Sequence, residues 1–117
     1  MSCFKRIGVL LATLGLVFSF GCTAEIEAPP GDAVWIDVRT AEEYAEGHLA
    51  QAALIPYDVI EKGVTDLHLA KDAPIYLYCR SGNRAGKAKM ALEAQHYTHV
   101  VNVGGLEDAR SLAGLAK

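Results

Sequence analysis

The chain has 117 residues, 51% of them hydrophobic, a size that suits one domain of the ordinary ~100–150-residue kind and leaves little room for a second. Its formal net charge is −3 with no block of basic residues, which argues against a groove that binds nucleic acid by neutralising phosphates and favours a small-molecule or protein partner.

Residues 1–22 read as an export signal. Lys5 and Arg6 supply a positive start, and "IGVLLATLGLVFSF" (Ile7 to Phe20) is an uncharged apolar stretch shorter than the ~20 residues of a spanning helix. "SFGC", Ser19 to Cys22, resembles a bacterial lipoprotein cleavage box, which makes Cys22 a lipidation candidate. Ser19 and Phe20 depart from that pattern, so ordinary cleavage near Ala24 stands beside it. Either route places the mature protein in the periplasm, soluble or lipid-anchored to a bacterial membrane. Losing Lys5 and Arg6 makes it more acidic.

Residues 23–32, "TAEIEAPPGD", read as a linker, and residues 33–117 as the folded domain. "AVWIDV" (Ala33 to Val38) is a buried strand with Asp37 near its C-terminal end. "TAEEYAEGH" carries a capping box, Thr40 with Glu43 three residues on, and a helix stop at Gly47. "AALIP" is a short extended piece, and "YDVIEKGV" a short helix closed by Gly63. "PIYLYC" (Pro74 to Cys79) is a β-branched and aromatic strand running straight into the loop Arg80-Ser81-Gly82-Asn83. Arg84 to Gln95 then reads as a helix with Ala85, Ala88, Leu92 and Met90 available to its inner side. "THVVNV" is a last strand, and "GGLEDARSLAGLAK" a turn and terminal helix. Alternating apolar strands and helices predict an α/β domain: a central parallel sheet with helices on both faces.

Ligands on such sheets gather at the C-terminal ends of the strands, where Cys79 lies. Cys3 leaves with the signal and Cys22 sits in a tail, so Cys79 has no fixed partner, and a lone thiol in an oxidising compartment calls for a reason. Three readings stand: a buried structural thiol, a disulfide to Cys22, or a nucleophile. Backbone N–H groups of a glycine-containing loop that opens a helix favour negative charge, so a cysteine there is drawn toward the thiolate. Arg80 and Arg84 flank it with positive charge suited to a small oxyanion. These features rank the nucleophile first.

"CRSGNRA" behind "PIYLY" resembles the active-site loop of rhodanese-type sulfurtransferases. "WIDVRTAEEYAEGHLAQAALIP", "APIYLYCRSGNRAGKAKMAL" and "HVVNVGGLEDA" resemble the family's successive signatures, in the manner of its small single-domain exported members. The resemblance implies a rhodanese-like domain in which Cys79 accepts a sulfane sulfur as a persulfide. Arg80, Ser81, Gly82, Asn83 and Arg84 would form the cradle. Asp37 and Arg39 match the family's Asp-x-Arg, with a salt-bridge role foremost, and His48 matches a family histidine read as an ordering contact. The implied donor is thiosulfate or a similar small anion. The acceptor is cyanide in vitro and a thiol or protein cysteine in vivo, with no metal or organic cofactor and the protein acting as a monomer. The tryptophan that the family often shows after "GGL" would fall near Ala109 here, which predicts a more open pocket rim, and Ala50-Gln51 replace a common Pro-Gly turn.

Two other functions share this physics. Cysteine phosphatases and arsenate reductases place five residues between cysteine and arginine; here four separate Cys79 from Arg84, a smaller loop that favours sulfur over phosphate. A persulfide carrier or protein-binding module that does not turn over is the other alternative.

Overall fold

The computed structural model describes residues 26–116; the proposed signal at 1–22 and Cys22 lie outside the described residues. Four strands, β1 (Val34–Asp37), β2 (Ala53–Leu54), β3 (Ile75–Cys79) and β4 (Val100–Gly105), form one sheet in the order β2-β1-β3-β4. Every pairing is parallel. Among the described residues the helices are α1 (Ala41–Glu46), α2 (Ile60–Asp66, entered through a 3-10 turn at Tyr57–Val59), α3 (Asn83–Ala94) and α4 (Leu106–Ala113).

The central strands are apolar along their length because both faces are covered. Alternation of side chains divides the core into two layers. Ile36, Ile75, Leu77 and Cys79 face α2 and α3, packing against Ile60, Val64, Ala85, Ala88 and Leu92. Trp35, Tyr76 and Tyr78 face the other way onto Ala109 and Leu112 of α4. On that second face Trp35 and Tyr76, paired across β1 and β3, bring their rings to 5.1 Å. The alanines of α3 let that helix lie close over β3, so its N-terminus meets the end of the strand at Cys79.

α1 buries no side chain of its own. Its six residues are held by the capping box: Glu43 N–H donates to Thr40 Oγ1 at 3.2 Å, and Thr40 N–H to Glu43 Oε1 at 3.0 Å.

Several sequence expectations shift. Gly63 lies inside α2 rather than ending it; a Cβ there would stand 2.3 Å from Ile55 Cγ2, so the glycine lets the helix approach the segment that follows β2. Met90 is 72% exposed and faces solvent, not the core. The glycines placed in a turn are the end of β4, where a bulge opposite Leu77 and Tyr78 adds a residue. Within the stretch read as a linker Pro29 is fully buried, so the domain's packing begins before Ala33.

Candidate active site

β3 delivers Cys79 to the carboxyl end of the sheet, where its side chain, 1% exposed, forms the floor of a cleft of about 440 Å³. The chain then reverses over four residues. Gly82 takes φ +95°, a conformation open to glycine, and is the N-cap of α3. That turn aims backbone N–H groups at the sulfur, with Gly82 N–H donating to Cys79 Sγ at 2.9 Å. Burial pushes the thiol up, but the N–H groups of Ala85, Gly82, Ser81 and Arg84 together bring it below its ordinary value. A group lowered in this way stays ionised as pH falls until its own shifted value is crossed. Alkylation of the Cys79 peptide by iodoacetamide, followed against pH, is therefore expected to have its midpoint below the ~8.5 of a free thiol. A midpoint at or above that value would mean burial outweighs the N–H groups.

The loop is braced from β4. Asn102 Nδ2 donates to Gly82 O at 2.9 Å, and Gly104 N–H donates to Asn102 Oδ1 at 3.1 Å. The bulge, with Gly104 at φ +110°, gives Asn102 this position. Gly105, opposite Cys79, backs the loop directly: a Cβ on it would lie 2.5 Å from the carbonyl oxygen of Arg80.

The two loop arginines are not both offered to the cleft. Arg84 makes a bidentate pair with Glu43, Nη1–Oε1 at 2.8 Å and Nη2–Oε2 at 3.1 Å, across 41 residues of sequence. Arg80, its side chain 73% exposed, lies on the cleft with Nη1 at 3.6 Å from Glu43 Oε2. Free positive charge on both sides of Cys79 is thus corrected to two arginines sharing one carboxylate. The Arg84 guanidinium, with the Thr40 N–H, holds the Glu43 carboxyl well below the usual range. Ser81 and Asn83 are exposed, and of the two Ser81 brings its backbone N–H to the thiol.

Asp37, fully buried, receives Arg39 Nε at 2.9 and 3.0 Å, Arg39 Nη2 at 2.6 Å and the Arg39 N–H at 2.9 Å. Arg39 Nη2 also donates to Gly47 O at 2.7 Å, so this pair ties the end of β1 to the end of α1, and Arg39 lines the cleft. His48 donates through Nδ1 to Tyr44 O at 2.8 Å and stacks on the Tyr44 ring at 3.6 Å, which engages it with α1. Ala109 is fully buried against the sheet rather than at the pocket rim, so the small residue there does not widen the cleft. Arg110 of α4, paired with Glu107 at 2.6 Å, lines the cleft opposite α1.

Sequence reasoning passed over Glu43, Asn102, Gly105, Ala85 and Arg110 as site residues. Of these Glu43 carried a local signal as part of a capping box and Ala85 as an inner position of α3, neither of which pointed to the site.

The model of the rhodanese-like domain family matches residues 23–111. The chain is 36% identical over 98 residues to the thiosulfate sulfurtransferase PspE of Escherichia coli K12, covering 84% of this chain and 88% of that one. It is 34% identical over 74 residues to a sulfurtransferase of Allochromatium vinosum, covering 63% of this chain and 67% of the relative. Among solved structures it resembles a rhodanese with anions from E. coli, with a TM-score of 0.62 and 37% identity, covering 65% of this chain and 89% of that structure.

Proposed function

The chain belongs to the rhodanese-like domain family, and from that premise we propose that it is a thiosulfate sulfurtransferase working through a persulfide on Cys79. The observation that carries the reading is the placement of the Cys79 sulfur at the end of β3, 2.9 Å from the Gly82 N–H and faced also by the N–H groups of Ser81, Arg84 and Ala85. A sulfur anion is matched there by fixed donors.

The Cys79 thiolate attacks the outer sulfur of thiosulfate. The bond between the two donor sulfurs breaks and its electron pair leaves with sulfite. The new terminal sulfur carries the negative charge and meets the same N–H groups. A thiophilic acceptor then attacks that sulfur and the Cys79 thiolate is restored. Cyanide gives thiocyanate in this step, and a small thiol or a protein cysteine is the acceptor in the cell. The positive start and apolar run of residues 1–22 support a periplasmic site of action, with Cys22 as the point of lipid attachment if the chain stays at the membrane.

Intact mass spectrometry of the reduced protein tests this. A gain of one sulfur with thiosulfate, lost on adding cyanide, is the expected result, with thiocyanate formed over many turnovers. Sulfur gain with a single turnover would make the protein a carrier, and no gain from thiosulfate would overturn the proposed donor.

Gly105→Ala gives a second check. Its Cβ would collide with the Arg80 carbonyl, a backbone atom that yields only by moving the loop. Misplacing a reacting group by a fraction of an ångström to an ångström costs up to about 10²-fold in rate. Thiocyanate formation is expected to fall by about that much, and a wild-type rate would show that the loop tolerates the displacement.

A further inference from the structure

Each guanidinium on or beside the cleft faces a carboxylate. Arg39 is held by Asp37, Arg110 by Glu107, and Arg84 by Glu43, which also lies 3.6 Å from Arg80. The last group differs from the others, because one negative charge stands between two positive ones, both of them on the Cys79 loop or the first turn of α3; like Glu107, the carboxylate lines the cleft with Cys79. The Glu43 side chain is 16% exposed and that of Arg84 26%, so salt screens this pair less than it would a fully exposed one. The remaining contacts of Glu43, the Thr40 N–H and hydroxyl, hold it in place without adding charge.

We propose that Glu43 is a specificity-determining residue: its carboxylate, shared by Arg84 and Arg80, cancels part of the positive potential at the mouth of the Cys79 loop and thereby sets how strongly sulfur donors are selected by their charge. The role rests on the sulfurtransferase reading for its biological meaning, but the potential acts on any anion that approaches Cys79. A structural latch and a charge suppressor predict opposite signs. Loss of a latch weakens the site for every reagent, whereas loss of the negative charge improves it for anions.

Glu43→Gln separates the two. Glutamine keeps the capping box, because its amide oxygen still accepts from Thr40 N–H, and it removes the charge. The loop group then carries two positive charges against none, where the wild type has two against one. Arg84→Ala leaves one against one, and the double variant leaves one against none, the wild-type balance. Coulomb energy is linear in the reagent's charge, so the fold-change for a dianion is the square of that for a monoanion.

The first readout is alkylation at the Cys79 peptide of the full chain, with iodoacetate as the anionic probe and iodoacetamide as the neutral one. In Glu43→Gln the iodoacetate-to-iodoacetamide rate ratio is expected to rise about twofold. In Arg84→Ala it is expected to fall by a similar factor, and in the double variant to return close to wild type. The second is the thiosulfate KM, which is expected to fall about fourfold in Glu43→Gln, with far-UV circular dichroism confirming the fold. An unchanged or lowered ratio in Glu43→Gln, or losses in all three variants, would overturn the proposal. Failure of the sulfurtransferase reading would show separately, as absent sulfur gain in the wild-type protein, while the alkylation ratio still decides the role of Glu43.

Discussion

Cys79→Ser is expected to lower thiocyanate formation from thiosulfate and cyanide by about 10³-fold or more while the protein keeps its fold. The reaction needs a polarisable anion that attacks sulfur and then carries a second sulfur. A serine hydroxyl at that place is neutral at working pH, because the N–H groups that stabilise a thiolate cannot bring an alcohol into range. His48 is engaged elsewhere, donating its Nδ1–H to Tyr44 O and stacking on Tyr44, so it is not held as a base for that hydroxyl. The structural cost is small. Cys79 is 1% exposed and packs as a small residue, and a serine oxygen accepts from the Gly82 N–H that now meets the sulfur. The melting temperature is therefore expected to change by no more than the few degrees that correspond to about 1 kcal/mol in a domain of this size. A variant that melts normally and still turns over at the wild-type rate would remove Cys79 from the reaction. One that fails to fold would be replaced by Cys79→Ala, which tests the same atom without a new hydroxyl.

The elements that the sequence makes legible are those whose signals are local. The apolar run ending at Cys79 marks β3 because both faces of that strand are covered, and the alanines at 85 and 88 mark the inner side of α3. The Thr40–Glu43 capping box is a four-residue pattern and marks α1. Where the structure departs, the cause lies far away in the chain. Gly63 looks like a helix stop until Ile55 of the neighbouring segment is set against it. Arg84 looks like a free cation beside Cys79 until α1 brings Glu43 to it across 41 residues. Asn102 has no pattern at all: its value comes from a bulge in β4 that turns it toward Gly82. The loop that holds the sulfur was readable because strand, turn and helix are contiguous. The charges that tune it were not, since their pairing is a property of the fold.

The largest stability effect is expected at the other end of this charge network. Asp37→Ala removes a carboxylate that is fully buried and takes three guanidinium contacts and one backbone N–H from Arg39. The pair contributes little net stability against an apolar alternative, because both charges have left water, but removing one partner leaves the other uncompensated. Losses of ~3–5 kcal/mol are usual for that change. Arg39 keeps its bond to Gly47 O and has the cleft as a route to water, so the loss is expected near the lower end, about 3 kcal/mol. At ~4–8 °C per kcal/mol in a domain of this size, the melting temperature is expected to fall by at least about 12 °C. Urea unfolding reads the same quantity, and a loss under about 1 kcal/mol would mean that Arg39 is fully solvated once released. The double change Asp37→Leu with Arg39→Met is expected to recover much of the loss, since an apolar pair of similar volume carries no desolvation penalty. It is not expected to recover turnover to the same degree. The Arg39 to Gly47 bond ties the end of β1 to the end of α1, and α1 carries the Glu43 that faces Arg80 and Arg84. Stability restored with turnover still impaired would separate the two roles of this pair, the packing of β1 and the positioning of α1 over the Cys79 loop.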